Sequence, residues 1–100
     1  MNPTDLNKII HEPVRLGILS ALMTRDTLTF PELKEMLSVT DGNLSVHASI
    51  LEKHGLIPSA KDFYGKKPRT TFTITDDGRA QFRRYLEELE QLLHQLKGSH

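Results

Sequence analysis

Residues 39–57, VTDGNLSVHASILEKHGLI, constrain the fold more tightly than any other stretch of this chain. Thr40 offers a hydroxyl that accepts from a free first-turn amide, and Asp41 sets a negative charge at the positive end of the dipole, so a helix starts here. Lys53 and His54 sit by the last carbonyls, and Gly55 tolerates the positive φ with which a chain turns out of a helix. Leu44, Ala48 and Leu51 recur at helical spacing and define an inward face, which Leu56 and Ile57 extend. The outward face holds Gly42, Val46, Ser49 and Lys53, flanked by Asn43, Ser45 and Ile50. An ordinary solvated face carries more charge. Amides and hydroxyls read base edges in a major groove and apolar groups meet thymine methyls, so the composition suits recognition of double-stranded DNA. A protein-facing helix is the competing reading.

The flanking segments read as support. Thr4 is placed to cap a first short helix containing Leu6, Ile9 and Ile10, and Pro13 forces a restart. From Val14 to Met23, Val14, Ile18, Leu19 and Leu22 recur at helical spacing and give a buried helix. Residues 27–29 form a short strand, and Thr29 with Glu32 has capping-box spacing ahead of a helix whose inward face is Leu33, Met36 and Leu37. Ser38 to Thr40 is so tight a link that this helix and the next must cross steeply, as in a helix-turn-helix over about residues 29–54. Beyond it, residues 57–75 read as a hairpin turned near Gly65 and Pro68, with Phe72 and Ile74 alternating with threonines. Phe63 and Tyr64 are expected to pack the hairpin onto the body or to meet a DNA sugar.

Thr75 caps the longest helix, about residues 76–97, with Asp76 and Asp77 in its first turn. Phe82, Leu86, Leu89, Leu93 and Leu96 step by four, three, four and three, the spacing of a coiled-coil seam, and Tyr85 and Leu92 widen it. The stripe either folds back on its own chain or dimerises; so small a domain leaves little core to cover it, which favours a homodimer.

Composition removes several classes. One hundred residues make one small domain, and the absence of cysteine excludes disulfides, thiolate zinc sites and cysteine nucleophiles. No apolar run approaches a membrane span and no leader is recognisable, so a soluble, cytoplasmic protein is expected. Thirteen basic and thirteen acidic residues cancel; a DNA binder of zero net charge must segregate its charge. Lys61, Lys66, Lys67 and Arg69 cluster against Asp62 alone, whereas Glu87, Glu88 and Glu90 gather near the other end. Glu90 and His94 lie one turn apart, but with no third ligand nearby no metal is assigned. No nucleophile elbow or phosphate-binding glycine loop is present, so neither an enzyme nor a cofactor is expected.

The run Gly42-Asn43-Leu44-Ser45 with His47, Leu51, Glu52, Gly55, Leu56 and Ile57 resembles the recognition helix of small winged helix-turn-helix regulators related to the MarR and ArsR groups. Residues 65–71, GKKPRTT, with Thr75 and Gly78, are similar to the wing and the start of the last helix. The likeness reaches back to residues 11–16, HEPVRL, with Ile18 and Leu19. It implies a mainly α fold with a small β-hairpin wing, spanning residues 1–100 as one winged-helix domain with a long C-terminal dimerisation helix. It further implies a homodimer on a roughly palindromic operator, with one recognition helix per major groove and each wing on backbone or minor groove. Asn43, Ser45, Val46, Ser49 and Ile50 are then the base-facing candidates; Thr40, His47, Lys53, Lys66, Lys67 and Arg69 the phosphate candidates, His47 having helix packing as its alternative, at the edge of the inward face, and Arg69 also being placed to enter a narrow minor groove. Any effector would have to bind between the dimerisation helices and the DNA-reading unit. A winged-helix protein-interaction module is the alternative, since fold does not fix function.

Overall fold

The computed structural model describes residues 6–98. Helix α1 (Pro13–Thr24), strand β1 (Leu28–Thr29), helices α2 (Phe30–Leu37) and α3 (Asp41–Lys53), strands β2 (Ser59–Tyr64) and β3 (Lys67–Phe72), and helix α4 (Asp76–Gly98) follow in that order. The strands form one antiparallel sheet, β1-β3-β2. This is the mainly α, winged helix-turn-helix architecture that the sequence implies, with the long last helix present.

Local chemistry sets each boundary. Thr4 lies outside the described residues, and the short helix expected after it is replaced by a turn. Asn7 is the reason: its Oδ1 accepts from the amides of Ile9 and Ile10, giving that backbone an alternative to helical bonding. Leu6 and Ile10 are still buried in the core. Pro13 occupies the first position of α1, where its missing amide hydrogen costs nothing, and Glu12 is the N-cap, its carboxylate accepting from Val14 and Arg15. Thr29 and Glu32 complete a capping box on α2. Met36, expected inward, is exposed: α2 has only two turns, and Leu33 and Leu37 fill the face that meets α1. Gly17 of α1 permits that approach, since a Cβ there would stand 2.8 Å from Leu37 Cδ2.

The link from α2 to α3 turns on Ser38, the one non-glycine residue at positive φ among those described (53°). Its amide and that of Val39 close back on the Glu35 and Lys34 carbonyls, and Lys34 pairs with Asp41 at 2.9 Å across the turn. Thr40 Oγ1 accepts from the Asn43 amide at 3.1 Å, so α3 starts where its cap dictates. Leu44, Ala48 and Leu51 are buried, and Leu56 and Ile57 follow them into the core after Gly55 (φ 74°) releases the chain.

In the hairpin, Tyr64 pairs with Lys67, leaving a two-residue loop of Gly65 and Lys66. Only the first loop position has positive φ (Gly65, 64°), the pattern of a II′ turn, whose twist matches that of the strands. Pro68 sits within β3, on a stretch that β1 does not reach, where a missing amide is tolerated. Thr75 anchors α4: its Oγ1 accepts from the Gly78 amide at 2.8 Å and lies within hydrogen-bonding distance of the Gly55 and Leu56 carbonyls. Gly78 is required because a Cβ at that position would strike the Leu56 carbonyl oxygen and Ile74.

Phe82 and Tyr85 of α4 complete the core. Phe82 was expected in the intermolecular seam; it is instead covered by its own chain, because the first turns of α4 lie across the body. The free part of the stripe begins at Leu86.

Candidate nucleic-acid interface

Because Leu44, Ala48 and Leu51 draw one side of α3 into the core, the opposite side is presented outward. Asn43, Ser45, Val46, Ser49 and Lys53 are exposed there and Ile50 is half-buried. Thr40 is exposed at the helix start, its oxygen already accepting from Asn43. Between α3 and the sheet runs a groove of about 240 Å³, lined by Ser45, Ser49 and Glu52 on the helix side and by Ser59, Lys61 and Thr70 on the sheet side. Helix α3 and the hairpin therefore face one space, with one carboxylate, Glu52, at its wall.

His47 does not join the outward face. It is turned toward α1, with Nδ1 2.9 Å from Arg15 Nη1 and 3.2 Å from Glu12 Oε2. Unprotonated, Nδ1 accepts from Arg15; protonated, it donates to Glu12. The Arg15 guanidinium also donates to the Ile9 carbonyl at 2.6 Å, so the cluster joins the N-terminal turn, α1 and α3. Of the two roles expected for His47, helix packing and phosphate contact, these contacts match the first: the side chain fastens α3 to α1. Burial raises the Glu12 carboxyl, but the Arg15 and Val14 amides, with the charges of His47 and Arg15, outweigh it and hold Glu12 below its ordinary value. Sequence reasoning missed this because Arg15 and His47 stand 32 residues apart.

The wing is sorted by its register. Asp62 pairs with Arg69 across the strands, and the guanidinium grips the carboxylate at 3.0 and 2.8 Å while lying 5.6 Å from the centroid of the Tyr64 ring. Accepting these bonds lowers the Asp62 carboxyl, and the same bonds raise Arg69. Arg69, expected on phosphate or in a minor groove, forms an exposed ion pair with Asp62 within the hairpin. No carboxylate among the described residues lies within ion-pair distance of Lys61, Lys66 or Lys67, so the wing keeps its positive charge mainly at the tip. Neither Phe63 nor Tyr64 packs onto the body; they are 71% and 74% exposed.

Past the body, α4 carries Leu86, Leu93 and Leu96, exposed to 43%, 45% and 71%, while Leu89 and Leu92 rest partly against the core. Among the described residues no group of three or more His, Cys, Asp or Glu is gathered as a metal would require, and no helix is long and apolar enough to cross a membrane.

Residues 14–93 match the winged helix DNA-binding domain family. The chain is 38% identical over 85 residues to the uncharacterized protein MJ0432 of Methanocaldococcus jannaschii, covering 85% of this chain and 92% of that one. Its fold is similar to a transcriptional regulator homologue from Pyrococcus horikoshii OT3, with a TM-score of 0.81 and 36% identity over 88% of this chain and 87% of the other. A MarR family transcriptional regulator from Silicibacter pomeroyi shares the fold at a TM-score of 0.68 and 19% identity, over 89% of this chain and 57% of that one.

Proposed function

The chain belongs to the winged helix DNA-binding domain family, and from that premise we propose that it is a homodimeric, sequence-specific regulator of transcription that acts on a roughly palindromic duplex site. The observation that carries this reading is the outward face of α3: Asn43, Ser45, Val46 and Ser49 stand exposed together, opposite the buried leucines, beside a wing whose tip is basic. An amide and two hydroxyls supply donors and acceptors for base edges, and Val46 an apolar surface for a thymine methyl. Lys53 at the end of α3, with Lys66 and Lys67 across the groove, would hold the flanking phosphates, which position the helix without reading sequence. Leu86, Leu93 and Leu96 would join two copies so that their helices meet successive major-groove faces roughly 34 Å apart. All 100 residues would act as one domain of cytoplasmic type, without a cofactor, and not as an enzyme.

Zero net charge favours a second reading, a winged-helix module that docks on protein. Binding to random and selected duplexes across a salt series separates the two. Each phosphate contact contributes about 0.9 to the slope of log K against log salt, so Lys66→Ala with Lys67→Ala, doubled by the dimer, is expected to flatten that slope by roughly 3 to 4. Asn43→Ala and Ser49→Ala should relax preference at particular base pairs while leaving random-duplex affinity nearly unchanged. No duplex binding at low salt, and no sequence enriched by selection, would leave the protein-docking reading standing.

A further inference from the structure

Alternation along the hairpin divides the wing into two faces with different chemistry. On one, Asp62, Arg69 and Tyr64 form a set, carboxylate gripped by guanidinium and guanidinium over the ring, and Lys67, the cross-strand partner of Tyr64, ends that face. The other face is built from Ser59, Lys61 and Phe63 on β2 and from their partners Phe72, Thr70 and Pro68 on β3. Phe72 is buried and Ser59, Lys61 and Thr70 line the groove beside α3, so this is the face that looks toward the recognition helix. Phe63 continues it outward, two residues beyond Lys61 and therefore roughly 7 Å farther from the body. Its cross-strand neighbour is Pro68, so the face ends in an apolar pair, with Lys66 in the adjoining loop and Lys67 on the opposite face.

We propose that Phe63 is the group with which the wing enters the minor groove of duplex DNA flanking the α3 contact, backed by Pro68, with Lys61 on its own face and Lys66 in the loop meeting the phosphate rims. This rests on the DNA-binding reading above. It exchanges the roles first expected on the wing, since Arg69 becomes an internal brace and an aromatic side chain becomes the groove contact. Charge and shape select the occupant. Lys61 and Lys66, without carboxylate partners among the described residues, accompany an exposed ring, which suits a groove with apolar sugar walls and anionic rims better than a protein surface, and apolar side chains wedged into minor grooves are an established way of gripping a duplex. A single exposed aromatic residue is ordinary. What sets Phe63 apart is its place in line with the groove that α3 shares.

The test is duplex binding by the full chain across a salt series, comparing wild type, Phe63→Ala, Phe63→Leu and Tyr64→Ala, with thermal unfolding as the folding control. Phe63→Ala should weaken binding roughly five- to tenfold per wing without changing the salt slope, because apolar area is lost and no phosphate contact is. Phe63→Leu should recover part of that loss, and Tyr64→Ala should leave affinity within about twofold, as expected of a side chain that makes no groove contact. Replacing flanking G·C pairs by inosine·cytosine removes the minor-groove amino group and nothing in the major groove. It should tighten wild-type binding and have no effect on Phe63→Ala. If wild type binds duplex and Phe63→Ala binds equally well, or if the inosine effect survives in that variant, this inference is overturned while the DNA-binding reading stands. If wild type binds no duplex at low salt, both fall together.

Discussion

Tyr85 and Leu86 are neighbours on α4, yet one is fully enclosed by its own chain and the other is 43% exposed. The boundary between them divides the helix into halves that share one periodic stripe and use it differently. In the first half Gly78 lies against the Leu56 carbonyl, Phe82 fills the core, and the Tyr85 hydroxyl meets His11 Nδ1 at 2.7 Å, with burial pushing its phenol up. Asn7 and Gln81 add a second tie between the N-terminal turn and α4. In the second half the leucines keep their spacing but lose their cover: Leu89 and Leu92 are grazed by the core, and Leu93 and Leu96 stand clear of it. Periodicity therefore reports which residues share a face. It does not report what lies opposite that face, which depends on where the rest of the chain runs out.

The sharpest way to break this comparison is to empty each half in turn. Phe82→Ala should destabilise the fold by about 3 to 5 kcal/mol, the range for removing a buried aromatic side chain, and should show as a large drop in melting temperature whatever the protein concentration. Leu86→Asp with Leu93→Asp acts on surface that one chain leaves open. Each leucine has less than half of its surface left to cover, on the order of 1 kcal/mol, so four of them in a symmetric pair contribute about 4 kcal/mol to association. Sedimentation should find the double variant monomeric and chemical unfolding should find each chain about as stable as before. A wild type that already sediments as a monomer at tens of micromolar, an approximate range for weak pairing, would mean that the second half serves some other partner.

The same division explains what was legible in the sequence. Features decided within a few residues came through: the Thr40 cap, the Thr29–Glu32 box, the release at Gly55 and a hairpin turned at Gly65. Features decided by distant chain did not. Gly78 is spaced by a carbonyl 22 positions earlier in sequence, and Phe82 looks like any other seam residue until the body is seen to cover it. Asp62 and Arg69 are an intermediate case. Once the loop is fixed as Gly65 and Lys66, the register that pairs Tyr64 with Lys67 also pairs Asp62 with Arg69, so their ion pair was available from the turn alone. Glu12 as a cap was local too, but hidden, because glutamate is seldom an N-cap.

Glu12 also supplies the smallest test, directed at the tie between the N-terminal turn and the folded body. Its carboxyl is held below the ordinary value of 4.5 in the fold. A group whose folded-state pKa is depressed contributes stability that is fully present above the unfolded value and is lost as pH falls through the folded one. Wild-type stability should accordingly decline as pH drops below about 4.5, and part of that slope belongs to Glu12. Glu12→Gln keeps the side chain's shape but only one of the two acceptors that the α1 amides use, and removes the charge that faces Arg15 and His47. The variant should be slightly less stable than wild type near neutrality and should converge on it in acid, where both carry an uncharged side chain. Denaturant unfolding from pH 7 to 3 measures the convergence, with Glu32→Gln as a comparison, since Glu32 is likewise lowered, by its bonds to Thr29. Chain association measured in parallel should not distinguish Glu12→Gln from wild type, because the second half of α4 touches none of these groups. A constant gap between the two unfolding curves at every pH would assign the contribution of Glu12 to its second acceptor and its packing and not to its charge.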